Sequence, residues 1–199
     1  MQTSVNQAPT TTTVVSSSNP SVSGQLVTLK AAVSPISPAS GIPTGTVTFK
    51  DGSTTVSTVS LSGGSASVAI SSLTAGNHSI TAVYNDDSNF VTSTSPSMTQ
   101  VVNAAATSTS LTSSLNPTIR GLPVTFRATV SPVSPGGGTV TGNVVFKDGS
   151  TTIGTVSLSN GAATLTVSFS AGSHSITASY GGSGSYSVST SAAIAEVVL

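Results

Sequence analysis

The chain has 199 residues, of which 5% are charged, five basic against five acidic, for a formal net charge of zero. That balance excludes the Lys/Arg footprint that nucleic acid requires and an acidic surface that draws in cations. The absence of cysteine excludes thiol catalysis, Cys-ligated zinc and disulfide stapling, and no run of about 18 apolar residues is present to span a membrane.

Thr10 to Val15 reads as an opening strand. Residues 26–33, LVTLKAAV, set Val27, Leu29, Ala31 and Val33 on one face and Thr28 and Lys30 on the other. A period of two is the mark of a half-buried strand. Val47 and Phe49 alternate with Thr46 and Thr48, and Lys50-Asp51-Gly52 then supplies a turn. Val59 with Leu61, and Ala66 with Val68 and Ile70, give two more strands separated by Ser-Gly-Gly. His78, Ile80, Ala82 and Tyr84 share one parity in a longer strand, and Met98 to Val102 closes the set. There is no amphipathic helix.

The set is then repeated. GTVTFKDGSTTVSTVSLSGG at 45–64 returns as GNVVFKDGSTTIGTVSLSNG at 142–161, with 15 of 20 letters unchanged. Phe49 recurs as Phe146, 97 positions on, and His78 and Tyr84 recur as His174 and Tyr180, 96 positions on. A unit of that length is a complete small domain rather than a solenoid repeat. The expected domains are 10–102 and 107–199, joined by a short linker at 103–106. Residues 1–9 echo the end of a preceding repeat, because VNQAPTTTTV at 5–14 aligns with VNAAATSTSL at 102–111. About seven short antiparallel strands per unit can each bury one face only by stacking two sheets, which predicts an all-β chain of two Greek-key β-sandwiches.

Gly45-Thr-Val-Thr-Phe-Lys-Asp-Gly52, Leu73-Thr-Ala-Gly-Asn-His78 and Ile80-Thr-Ala-Val-Tyr84, with their second copies, resemble the bacterial immunoglobulin-like repeats of surface and secreted proteins. The resemblance implies two tandem Ig-like modules end to end. It also implies an extracellular or cell-surface location, neighbouring Ig-like repeats as partners, and a spacer or adhesion role without catalytic residues. MQTSVNQAP is not a signal peptide, so an export signal is expected outside this chain.

Several residues invite chemistry. His78 and His174, the only histidines, could ligate metal or act as a base. Their inward parity and lack of a recurring acidic pair favour a structural role beside Tyr84 and Tyr180, where a tyrosine corner would tie a loop. Asp86 and Asp87 are the candidate calcium ligands, but the matching Gly182-Ser183 has no carboxylate, so no cofactor is expected. Phe49 and Phe146 read as core, and all eight aromatics fall where the other copy is apolar or aromatic. Only Phe90 and Tyr186 lie in a loop.

An internal Lys–Asn isopeptide bond occurs in some surface Ig-like modules and needs a buried acid beside the lysine. Lys50 and Lys147 adjoin Asp51 and Asp148 in a turn read as solvated, and Glu196 occurs in the second copy alone; no crosslink is expected. No G-x-S-x-G or S-x-x-K motif is present, so the chain is not read as an enzyme. The linker Asn-Ala-Ala-Ala spans at most about 13–14 Å, which favours a semi-rigid spacer. Rival readings are a self-assembling filament subunit and a glycan- or receptor-binding module.

Overall fold

A computed structural model describes residues 6–199, and every regular element in them is a strand. The chain divides into two compact units, with the boundary between Asn103 and Ala104, and each has its own apolar core.

In the first unit the strands are β1 (Thr10–Ser16), β2 (Ser21–Val22), β3 (Val27–Pro35), β4 (Thr46–Asp51), β5 (Thr54–Ser60), β6 (Ser65–Ile70), β7 (Gly76–Tyr84), β8 (Ser93–Thr94) and β9 (Met98–Asn103). One sheet has the order β1-β3-β6. The other runs β2-β9-β7-β4-β5, with β8 added on β7. The second unit repeats the plan with β10 (Thr107–Ser113), β11 (Pro123–Pro132), β12 (Asn143–Asp148), β13 (Thr151–Ser157), β14 (Ala162–Ser168), β15 (Gly172–Tyr180), β16 (Ser189–Thr190) and β17 (Ile194–Val198). Its sheets are β10-β11-β14 and β13-β12-β15-β16, with β17 also on β15. Seven long strands per unit match the sequence reading, and the two-residue strands are additions that no periodicity could announce.

The alternation explains the layering. Val27, Leu29, Ala31 and Val33 point inward from β3, Val47 and Phe49 from β4, and Ile80, Ala82 and Tyr84 from β7, all buried. The wet faces carry Ser and Thr, which suit a pleated surface without charge. Two turns matter to the topology. Gly63-Gly64 and Asn160-Gly161 both hold positive φ at two successive residues, the signature of a type I′ turn. Each hands the chain from the larger sheet to β6 or β14 in the smaller one. A bulge interrupts the pairing between β4 and β5, and likewise between β12 and β13. It leaves Val56 and Ile153 as the extra residues of the two edge strands.

Residues 1–5 of the expected leading tail lie outside the described residues. Ala8 belongs to the first unit: its N–H donates to the Asn89 carbonyl (2.7 Å) and its carbonyl accepts from Val91 (3.0 Å). Ala105, at the expected linker, is likewise buried in the second unit and pairs with Tyr186.

Because the cores are separate, damage to one should stay local. Phe146→Ala should destabilise the second unit by about 3–5 kcal/mol while denaturation of the first, followed by residue-resolved NMR, keeps its midpoint. Equal loss in both units would contradict separate cores.

Candidate functional site

The first strand of interest, β7, is fastened at both ends by polar side chains, and β15 repeats the arrangement. At the β7 entrance, His78 Nδ1 lies 2.6 Å from Asp51 Oδ2 and Nε2 lies 2.8 Å from the Thr74 carbonyl. Asp51 Oδ1 also accepts the Ser79 N–H (3.2 Å). In the second unit His174 meets Asp148 at 2.6 Å and the Ser170 carbonyl at 3.0 Å, and Asp148 accepts from Ser175 (3.0 Å). The turn acids, read from sequence as solvated, are in fact the half-buried anchors of the histidines. The Lys50 and Lys147 side chains lie on the opposite strand face, away from the inward residues Phe49 and Phe146.

The protonation state follows from the partners. A carboxylate and a carbonyl can only accept, whereas a neutral imidazole has a single N–H to give. Both contacts therefore require the imidazolium, and both histidines are held above the ordinary 6.5. For His78 burial pulls the value down, but the Thr74 carbonyl and the hydrogen bond and charge of Asp51 outweigh it. For His174 the Asp148 hydrogen bond leads, followed by the Ser170 carbonyl, against burial, with the charges of Asp148 and Glu196 adding. The second imidazole also lies against Phe169, ring centroids 4.6 Å apart, where a cation is attracted to the ring.

A cavity of about 340 Å³ opens beside His78, lined in part by Thr54, Thr55 and Leu73. The imidazole presents no free nitrogen to it, so it is not arranged as a base. Among the described residues no group of three or more His, Asp or Glu gathers to hold a metal.

The tyrosines sit at the far end of the strand from the histidines, not beside them. Tyr180 donates from its hydroxyl to the Thr141 carbonyl (2.7 Å), tying down the loop before β12. Tyr84 is equally buried, but its hydroxyl makes no hydrogen bond of ordinary geometry. Burial pushes it up to about 12, with the Asp87 and Asp86 carboxylates nearby contributing. In that unit Asp87 takes over the tie: its Oδ2 accepts from Thr44 N–H (2.8 Å) and Thr44 Oγ1 (2.6 Å), and its Oδ1 from Asn89 (2.7 Å) and Phe90 (2.8 Å). The Thr44 hydroxyl bond leads in holding this carboxyl well below the usual carboxylate range. Asp86 stands exposed next to it, at φ 74.

Phe90 and Tyr186, the loop aromatics, are both buried, and Tyr186 donates to the Gly137 carbonyl (2.8 Å). Two inward polar residues escaped the sequence reading, Gln100 on β9 and Glu196 on β17, each fully buried. Gln100 donates to Ser18 O, Ser21 Oγ and Val101 O, while Glu196 Oε2 accepts from Ser113 (2.8 Å). They face His78 and His174 across the strand pair. Their inward parity with Val102 and Val198 was the available signal.

The family description "bacterial Ig-like domain (group 3)" matches residues 6–103 and 111–198. The chain belongs to that family. Among solved structures it is similar to the adhesin InvE of Yersinia pseudotuberculosis, at 15% identity and a TM-score of 0.47, over 93% of this chain and 58% of that one. It is also similar to the fibronectin(III)-like modules of Clostridium thermocellum CbhA (17%, 0.37, 94% and 93%). A third likeness is the Escherichia coli adhesin FdeC (15%, 0.36, 94% and 64%). Among curated proteins none matches the chain.

Each raised histidine stabilises its Ig-like unit fully below the unfolded value of about 6.5. That contribution is lost as pH rises through the raised folded value. NMR titration should place both histidines above 6.5, and Asp51→Asn should return His78 alone toward it; values at or below 6.5 in the parent chain would contradict the brace. Asp87→Ala should speed hydrogen exchange at Asn89 and Phe90. Because the Asp87 oxygens are already engaged, millimolar calcium should leave the thermal midpoint unmoved, and a rise of several degrees would show a cation site.

Proposed function

We propose that the chain is a non-catalytic structural module, a semi-rigid extracellular spacer or stalk segment of a larger bacterial surface or adhesin-type protein. The observation that carries this is the duplication of the Asp–His brace. The repeated polar residues that most resemble chemistry are engaged in holding β4, β7 and the loop before β7 together. What the two units share is therefore core and bracing. A glycan-binding role finds no support in the loop aromatics, since Phe90 and Tyr186 offer no exposed ring for stacking.

Two further features suit a load-bearing segment. Sandwich strands paired over long sequence distances, such as β1 with β3 and β7 with β9, must break together under tension. The connection is short as well: β9 ends at Asn103, and Ala105 already donates to the Ser185 carbonyl (2.9 Å). A tether of that kind restricts swing, whereas a long Gly/Ser linker would not.

Pulled from its ends in a force spectrometer, the chain should lengthen in two separate steps of about 30 nm, one per unit of roughly 97 residues. Small-angle scattering should give an elongated particle. A single step of doubled length, or a compact side-by-side particle, would contradict the spacer.

A further inference from the structure

The charged residues divide in an informative way. Of the ten in the chain, Lys30, Lys50 and Asp51 recur as Arg127, Lys147 and Asp148. The four without a charged counterpart are Asp86, Asp87, Arg120 and Glu196. Glu196 is buried in its core. The other three lie at two surfaces, one on each unit, that are also more apolar than the matching surfaces of the other unit.

The first surface is a cleft of about 480 Å³ in the first unit, lined by Ala8, Gly41, Ile42, Ser88, Asn89 and Phe90. Ile42 is 66% exposed, and Asp86 and Asp87 begin the loop that forms one wall. The matching residues in the second unit are Thr139, Gly182 and Ser183. Asp86 sits at φ 74 where Gly182 sits at φ 81, so a carboxylate is held in a conformation that a glycine adopts with less strain.

The second surface is the turn before β11. It is closed by Leu122 N–H to the Ile119 carbonyl (3.0 Å). It is joined to Leu199 by Arg120 N–H to Leu199 O and Leu199 N–H to Thr118 O, both 2.9 Å. Ile119 and Leu199 are 60% and 70% exposed, and Arg120 stands between them. In the first unit Arg120, Leu122 and Leu199 are answered by Ser23, Gln25 and Asn103, and Ile119 by the smaller Val22.

We propose that these faces bind each other, so that the chain docks head to tail on a second copy of itself. The Ile119–Leu122 turn of one copy enters the Phe90 cleft of the next, and Arg120 meets the Asp86–Asp87 rim. Convex apolar turn and apolar cleft match in shape and chemistry, and the rim and the turn carry opposite charge in a chain that has few charges to place. A contact between two different patches of one molecule is heterologous and leaves each copy with a free cleft and a free turn, so it propagates. This contact is independent of the spacer reading, which force spectroscopy tests on single chains.

Sedimentation velocity over a concentration series at low salt tests it. The chain should form species beyond the dimer, weakening as salt rises. Ile42→Asp blocks the cleft and Ile119→Asp the turn, and both residues are exposed, so circular dichroism should be unchanged. Each variant alone should associate at least ten-fold more weakly. Mixed, they should give a dimer and stop there, because each supplies the face the other has lost. Asp86→Gly and Arg120→Ser, which borrow the residue of the other unit, should weaken association several-fold and flatten its salt dependence. A chain monomeric at millimolar concentration, a mixture no better than its parts, or unaltered association of the Asp86 and Arg120 variants would overturn the proposal. So would association seen only after deletion of residues 1–5, since the chain's own leading segment would then be the occupant.

Discussion

Burial of a single face on each sheet is the constraint from which the rest follows. A strand whose side chains alternate between Val, Leu or Phe and Ser or Thr cannot be satisfied alone, since half of it seeks water and half avoids it. Two such sheets resolve the conflict by closing their apolar faces on each other, as Leu29 and Ala31 of β3 do with Phe49, Ile80 and Tyr84 of the facing sheet. Once that surface is sealed, a chain with so few charges has little left for recognition except its turns. Its chemistry is accordingly found at strand ends.

The polar braces answer a weakness of the sandwich. Loops that connect sheets carry backbone groups with no ladder partner. Asp51 and Asp148 satisfy such groups directly while orienting a histidine whose second nitrogen satisfies another. The two units solve the other end of β7 and β15 differently. One uses the Tyr180 hydroxyl, the other a carboxylate, Asp87, with four donors converging on it. The same loop is therefore equally fixed in both, but in the first unit a negative charge is its price.

Much of this was legible in the chain. The parity of residues 27–33, 47–49 and 78–84 gave the buried faces, and the 97-residue recurrence gave two domains. The Asp–His link was not legible because its members lie 27 residues apart, and Lys-Asp-Gly has the local chemistry of an exposed turn. Only the joint recurrence of Asp51 with His78 and of Asp148 with His174 hinted at it. The edge bulges left no mark, since Val56 and Ile153 fit an uninterrupted period of two. The tyrosine tie was displaced for a related reason: parity puts Tyr84 and His78 on the same face of one strand, but it does not say which end of the strand a loop approaches.

The claim beneath all of this is that each half of the chain completes its own core. Comparing the amide NMR spectrum of residues 6–103 made alone with that of the whole chain tests it most directly. The account predicts dispersed peaks that superimpose on those of the whole chain except near the cut. A collapsed spectrum with poor dispersion would show that the halves share a core, and would contradict it.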